Sequence, residues 1–341
     1  MSVKDKTHFD ADLPMSDLSL LVATLATATQ NQSMVDLATA QTTTQVVAPV
    51  IDRSELVATA WGYAQPETSP AAPEFSLTSR PASTAVYLPD ASASVVNVPR
   101  SGSQLYAQRL AALRSGVLAT RLPSDSFQAI WSQARQKPTY TQWRQLMVQE
   151  ARAVVAGQGS NRLAVILGDS LSQWYPNDLL LGNQLWLNQA LSGDNTRGIL
   201  RRLDDMGQTR PSVIYLMAGI NDLKQGVSRQ EIIRNFSQIV TRLQQRHPQA
   251  QIVIQSVLPT QSVPIGNDRI AALNQQLASL AAQKGAVYLD VHRWMVDETG
   301  QMTPRLTTDG LHLSQSGYEV WQQVLRQADV HLASGRLRNS V

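Results

Sequence analysis

Four short stretches of the chain hold residue types that together could transfer an acyl group. Ser170 stands in Gly168-Asp169-Ser170-Leu171, Gly193 in Ser192-Gly193-Asp194, Asn221 in Gly219-Ile220-Asn221-Asp222, and His312 closes Asp309-Gly310-Leu311-His312. A serine hydroxyl is a poor nucleophile until a base takes its proton. Ser170 therefore needs an imidazole within hydrogen-bond reach, and that imidazole needs a carboxylate on its other nitrogen. The five histidines make a short search. His8 falls in a polar N-terminal stretch, His247 ends a helical pattern in Arg246-His247-Pro248, and His331 lies in a polar tail; all three read as solvated or structural. His292, just after an apolar run at Ala286–Leu289, is the rival base. His312 is favoured because Asp309, three residues upstream, can turn back onto its ring. Attack on an ester also builds negative charge on the carbonyl oxygen, and each well-placed donor contributes roughly 10²–10³ in rate. The N–H groups of Ser170 and Gly193 and the side-chain amide of Asn221 are the candidate donors.

These residues need elements that bring them to one place. From Arg162 onward, short apolar runs rich in β-branched residues alternate with amphipathic stretches. Leu163–Leu167, Val213–Met217, Ile252–Val257 and Ala286–Leu289 read as strands buried on both faces, with a further short strand at Leu185–Leu187. Helix-period segments fall at about 196–206, 228–246, 267–284 and 314–327. Ser228 with Glu231 has capping-box spacing, and Pro248 stops that helix. Such alternation implies a three-layer α/β domain with a parallel sheet. Ligands of these sheets bind beyond the carboxyl ends of the strands, where the four stretches fall. Asp169 and Asp222 read as carboxylates that fix their loops, and Asp194 with Thr196 as a helix N-cap.

Taken together and in this order, Gly168-Asp169-Ser170-Leu171, Gly193, Gly219-x-Asn221-Asp222 and Asp309-x-x-His312 resemble the four blocks of the SGNH, or GDSL, hydrolase superfamily, over about residues 160–330. The resemblance implies a flavodoxin-like α/β/α sandwich of about five parallel strands and a GDSL-type esterase or lipase that needs neither metal nor cofactor. It implies Ser170 as nucleophile, His312 as base, Asp309 as its orienting acid, and Ser170, Gly193 and Asn221 as oxyanion hole. The expected chemistry is hydrolysis of a small-molecule carboxylic ester through an acyl-enzyme. Trp174, Tyr175 and the loop Pro259–Pro264 are candidates for the acyl pocket, or for core packing. With no long apolar lid, short-chain or acetyl esters are favoured.

Composition divides the rest. Residues 1–100 hold half of the 16 prolines, one of the 18 glycines and an excess of five acidic charges, and they are expected to form a disordered low-complexity tail. A short helix from Asp17 is conceivable there, as a docking segment for a protein partner. Residues 101–160 carry an excess of five basic charges and the spacing of about three helices, broken at Pro123 and Pro138: a helical preface to the hydrolase domain at 161–330, with 331–341 as a C-terminal tail. The net charge of +3 is thus a sum over unlike segments, and the scattered arginines give no nucleic-acid signal. The absence of cysteine removes disulfides, thiolate metal sites and a cysteine nucleophile. The apolar run Leu18–Leu25 follows four aspartates and is too short to span a bilayer, so neither a signal peptide nor membrane insertion is expected, and a cytoplasmic location is. A metal-dependent phosphoesterase and a non-catalytic binding protein recruited through residues 1–100 are the competing functions; the first lacks an Asp-x-His after an early strand, the second is at odds with a complete Ser-His-Asp set.

Overall fold

The computed structural model describes residues 97–262 and 264–333; the expected tail, its helix from Asp17 and its docking role lie outside the described residues. Five strands form one parallel sheet: β1 (Leu163–Gly168), β2 (Leu185–Ala190), β3 (Val213–Met217), β4 (Gln251–Gln255) and β5 (Val287–Leu289), in the order β2-β1-β3-β4-β5. This is the flavodoxin-like order expected. Its switch point lies between β1 and β3, where consecutive connections leave in opposite directions and open a crevice. Register levels the strand ends there. Gly168 pairs with Ala190 on one side and with Met217 on the other, so the loops carrying Ser170, Gly193 and Asn221 depart from one edge at one height.

Helices precede and interleave the strands: α1 (Gly102–Arg114), α2 (Gln128–Trp131), α3 (Tyr140–Gly157), α4 (Ser170–Gln173), α5 (Thr196–Arg201), α6 (Ile220–Lys224), α7 (Arg229–Arg246), α8 (Asn267–Lys284) and α9 (Gln315–Ala333). The last runs six residues past its expected end at 327 and into the stretch expected as a tail. Side chains alternate across a strand, so each strand feeds both faces. Leu163, Val165, Leu167, Ile214, Leu216, Ile252 and Ile254 share a core with Ile232, Phe236 and Ile239 of α7 and Ile270, Leu273 and Leu277 of α8. The other face carries Trp186 stacked on Tyr215, and Gln255, whose Oε1 accepts from the Trp321 indole of α9 at 2.7 Å.

The helices before β1 belong to this body. Thr139 and Gln142 cap α3 reciprocally, and Ser228 accepts from the Glu231 N–H at the start of α7. Along α3 the buried stripe Trp143, Leu146, Met147, Ala151 and Val154 follows helical spacing. Burial of such side chains is worth about 1.5–3 kcal/mol each, enough to dock the helix. Trp143, Leu146 and Met147 pack on Leu191, the residue that leads into Ser192-Gly193. The preface therefore touches the site directly.

Candidate active site

Gly168 ends β1 where no side chain fits: an added Cβ would lie 2.4 Å from the Met217 carbonyl and 2.6 Å from Ser172 Oγ. The chain then turns at once into α4, with the buried Asp169 as N-cap accepting from the Leu171 N–H at 3.1 Å. Ser170 is thereby set on the first turn, and its Oγ lies 3.2 Å from His312 Nε2. On the far side of the ring, His312 Nδ1 is 2.7 Å from Asp309 Oδ2. The other carboxylate oxygen of Asp309 accepts the N–H groups of Leu311 and His312 at 3.0 and 2.7 Å, which closes the loop into the turn expected from the spacing. With Nδ1–H donated to Asp309, Nε2 is left as the acceptor facing the serine hydroxyl.

The donors expected for an oxyanion follow the same carboxyl edge of the sheet. Leu191 to Asp194 form a tight turn closed by Asp194 N–H to Leu191 O, and Gly193 occupies it at φ +85, a conformation that favours glycine. Among the described residues neither the Gly193 N–H nor the Ser170 N–H donates to another protein group. Asn221 gives one amide hydrogen to the Asp194 carbonyl at 2.8 Å, which anchors the side chain beside Gly193 and leaves its second hydrogen free among the described residues.

His292 does not compete. It sits in a single turn after β5, its Nε2 buried with no partner among the described residues, and the imidazole on Ser170 is that of His312. Asp169 fixes its own loop as expected. Asp222 acts between loops, accepting the Thr196 N–H at 2.9 Å and hydroxyl at 2.6 Å. Asp194 is not the cap of α5; Asn195 is, accepting from Gly198 N–H at 2.8 Å, because the Asp194 carboxylate is engaged elsewhere. That partner is Arg202, which the sequence reading passed over. Arg202 is 1% exposed. Its Nε reaches Asp194 Oδ2, Nη1 the Gln189 carbonyl, and Nη2 the Gly168 carbonyl at 3.1 Å. One guanidinium thus ties the residue before Asp169-Ser170 to the residue after Gly193. The signal was its helical phase: Arg202 falls three residues after the core residue Ile199, whereas Arg201 beside it is exposed.

Two pocket candidates also part. Trp174 and Tyr175 line a cleft of about 840 Å³ together with Asp309 and His312. The described residues of the 259–264 loop do not line it; Thr260 Oγ1 and the Gln261 N–H instead hold the Gly310 carbonyl at 2.8 Å each, bracing the Asp309–His312 turn from behind.

Charge around the nucleophile is asymmetric. Burial, reinforced by the carboxylates of Asp222 and Asp194, pushes Asp169 up to about 7 against the opposing Leu171 hydrogen bond. Partial burial also pushes Asp309 upward, but the hydrogen bonds from the His312 ring and from two backbone N–H groups outweigh it and hold Asp309 below the usual carboxylate range. Asp309 therefore stays ionised beside the ring. Asp169 has a consequence for stability. Between about pH 4 and 7 the folded chain keeps a proton on it that the unfolded chain has lost, so stability falls as pH rises through that window. Asp169→Asn keeps the oxygen that accepts from Leu171. It should match the wild type in thermal melts near pH 4 and exceed it by at least about 1 kcal/mol above pH 7; parallel pH profiles would contradict this.

Among the described residues no group of three or more His, Asp or Glu side chains is placed to hold a metal ion, and no helix is long and apolar enough to cross a membrane. The parallel sheet with a serine, a histidine and an aspartate gathered at its switch point defines an α/β hydrolytic enzyme. The sequence profile of the GDSL-like lipase/acylhydrolase family matches residues 125–320, more than half of the chain, and the protein belongs to that family of ester hydrolases. Its relatives include the platelet-activating factor acetylhydrolase IB subunit alpha1 of Homo sapiens, 28% identical over 170 residues that make up 45% of this chain and 69% of that protein. The alpha2 subunit of Rattus norvegicus is 28% identical over 185 residues, 50% of this chain and 78% of that one. A solved Streptococcus pneumonia protein described as a platelet activating factor superposes with a TM-score of 0.51 at 26% identity, covering 55% of this chain and 93% of its own.

Proposed function

We propose that the protein is a serine esterase that cleaves carboxylic esters with short acyl groups, acetyl above all, through an acyl-enzyme. The observation that carries this reading is the relay Ser170 Oγ, His312 Nε2, His312 Nδ1, Asp309 Oδ2, with separations of 3.2 and 2.7 Å. His312 takes the hydroxyl proton as Ser170 Oγ bonds to the ester carbon. The carbonyl oxygen becomes an oxyanion held by the N–H groups of Ser170 and Gly193 and by the Asn221 amide. The bond to the alcohol oxygen then breaks, and the alcohol leaves with the proton from His312. Water, deprotonated by the same imidazole, attacks the acyl-Ser170 ester and releases the acid. Asp309 stabilises the imidazolium in both halves. The acetyl preference draws on the relatives named above, which are acetylhydrolases.

Intact mass spectrometry after a fluorophosphonate probe should find one adduct, mapped to Ser170 and absent from Ser170→Ala. Across p-nitrophenyl acetate, butyrate and octanoate, kcat/KM should fall with acyl length. Labelling elsewhere would remove the site assignment; a maximum at octanoate would remove the acyl preference alone.

A further inference from the structure

The Gly193 N–H can serve an oxyanion only if the turn around it keeps one face toward Ser170. Leu191 O accepts from the Asp194 N–H at 3.1 Å, so Ser192 and Gly193 are the two central residues of that turn. Gly193 has φ +85 and Ser192 a negative φ, the combination of a type II turn. Types I and II differ by a flip of the central peptide, the unit that carries the Gly193 N–H, and glycine is free to take either. The direction of this donor therefore has to be set from outside the turn. Arg202 holds only the far end, through the Asp194 carboxylate.

Gln173 holds the near end. Its Oε1 accepts both the Ser192 N–H, at 2.8 Å, and the Ser192 hydroxyl, so the two donors of the first central residue end on one atom. A backbone N–H can only donate, which fixes the amide with its oxygen toward the turn. Gln173 stands on α4 three residues after Ser170 and is itself held in place. Its N–H donates to the Asp169 carbonyl at 2.9 Å, its carbonyl accepts from Asn188 Nδ2 at 3.3 Å, and the Asn188 carbonyl accepts from Arg109 of α1 at 2.8 Å. Gln173 is buried, whereas the Ser192 it grips is exposed. Stability alone does not account for a glutamine here: its Nε2 is buried with no partner among the described residues, a cost that an apolar side chain of similar volume would not carry. We infer that Gln173 is a positioning residue for the reaction proposed above, on which this step rests: by fixing Ser192 it aims the Gly193 N–H at the oxygen that gains charge when Ser170 attacks.

Hydrolysis of p-nitrophenyl acetate and inhibition by 1,1,1-trifluoroacetone test it on the full chain. Ser170 Oγ adds to the ketone carbon, its proton passes to His312 and the charge falls on the ketone oxygen, so the inhibition constant reads the tetrahedral state that the donors serve. A well-placed donor contributes roughly 10²–10³, and one left free to turn loses part of that. Gln173→Met should therefore lower kcat by about tenfold or more with KM within about twofold, and weaken trifluoroacetone by a similar factor. Ser192→Ala keeps its N–H on Gln173 and loses only the hydroxyl, so kcat should fall by about twofold to fivefold, the worth of one hydrogen bond. The double variant should be no slower than Gln173→Met alone, because both changes release the same turn. Losses that multiply in the double variant overturn the proposal, as does a folded Gln173→Met with kcat and ketone affinity near those of the wild type. A rise in KM at unchanged kcat also overturns it and assigns Gln173 to the cleft, which it lines as well. Should Gln173→Met fail to fold, Ser192→Ala on its exposed turn decides, and unchanged kcat and ketone affinity there overturn the proposal. Failure of the serine mechanism would show differently, since Ser170→Ala would then leave hydrolysis in place.

Discussion

Ser170→Ala and His312→Gln should each lower kcat/KM for p-nitrophenyl acetate by about 10³–10⁶, and the double variant should be no slower than the worse single one. The reason is that in the proposed reaction the two side chains perform one act. Without the imidazole the hydroxyl keeps its proton; without the hydroxyl the imidazole has nothing to activate at 3.2 Å. Substrate choice separates the two duties of the base. p-Nitrophenolate leaves without a proton, whereas ethoxide does not, so His312→Gln should cost more on ethyl acetate than on the activated ester. Asp309→Asn is expected to cost about 10⁴ while leaving the fold in place. An asparagine carbonyl can still accept the N–H groups of Leu311 and His312, but its amide then faces Nδ1 and forces the ring into the tautomer with the proton on Nε2, where Ser170 needs an acceptor. If His312→Gln keeps more than about a tenth of the rate, His312 is not the base.

Much of this geometry was legible because chain order and sheet physics constrain it. Short apolar runs rich in β-branched residues, alternating with helix-period segments, read as buried strands, and the carboxyl ends of strands in a parallel sheet are where functional side chains meet, so Ser170, Gly193 and Asn221 could be placed on one edge without coordinates. The turn that joins Asp309 to His312 followed from three-residue spacing. What the sequence hid is how loops are tied to one another. Arg202 looks like one of two adjacent surface arginines, yet its guanidinium spans the ends of β1 and β2, because the carbonyls of Gly168 and Gln189 and the carboxylate of Asp194 converge there. Asp194 reads as a helix cap in the sequence because a cap is a local feature and an ion pair is not. The cleft wall was hidden for the same reason: the helices before Leu163 gave an apolar stripe, whereas Arg109 is set in the wall by its ion pair with Glu150 of α3, and Ser124 by the loop after α1, whose Ser124 N–H donates to Asp178.

Arg202→Met should destabilise the protein by about 3–5 kcal/mol, the usual cost of removing one partner of a buried ion pair. In a domain of this size that is a fall in melting temperature of roughly ten degrees or more. Methionine fills the volume but returns none of the hydrogen bonds. Asp194 would then be a carboxylate at 5% exposure with, among the described residues, only the Tyr140 hydroxyl, at 3.2 Å, to donate to it, and the carbonyls of Gly168 and Gln189 would lose the guanidinium as donor. Adding Asp194→Asn to Arg202→Met should restore part of the loss, because the unmatched charge, rather than the missing arginine, carries most of the cost; a double variant as unstable as the sum of the singles would contradict this. Activity gives a second reading. Arg202 touches no substrate, so it is a positioning residue, and its effect must pass through Gly193 and the Asn221 amide that leans on the Asp194 carbonyl. In the fraction of Arg202→Met that remains folded at low temperature, kcat should fall with little change in KM, since oxyanion donors act on the tetrahedral state more than on the bound ester. A rise in KM at unchanged kcat would place the damage in the cleft instead of at the oxyanion turn.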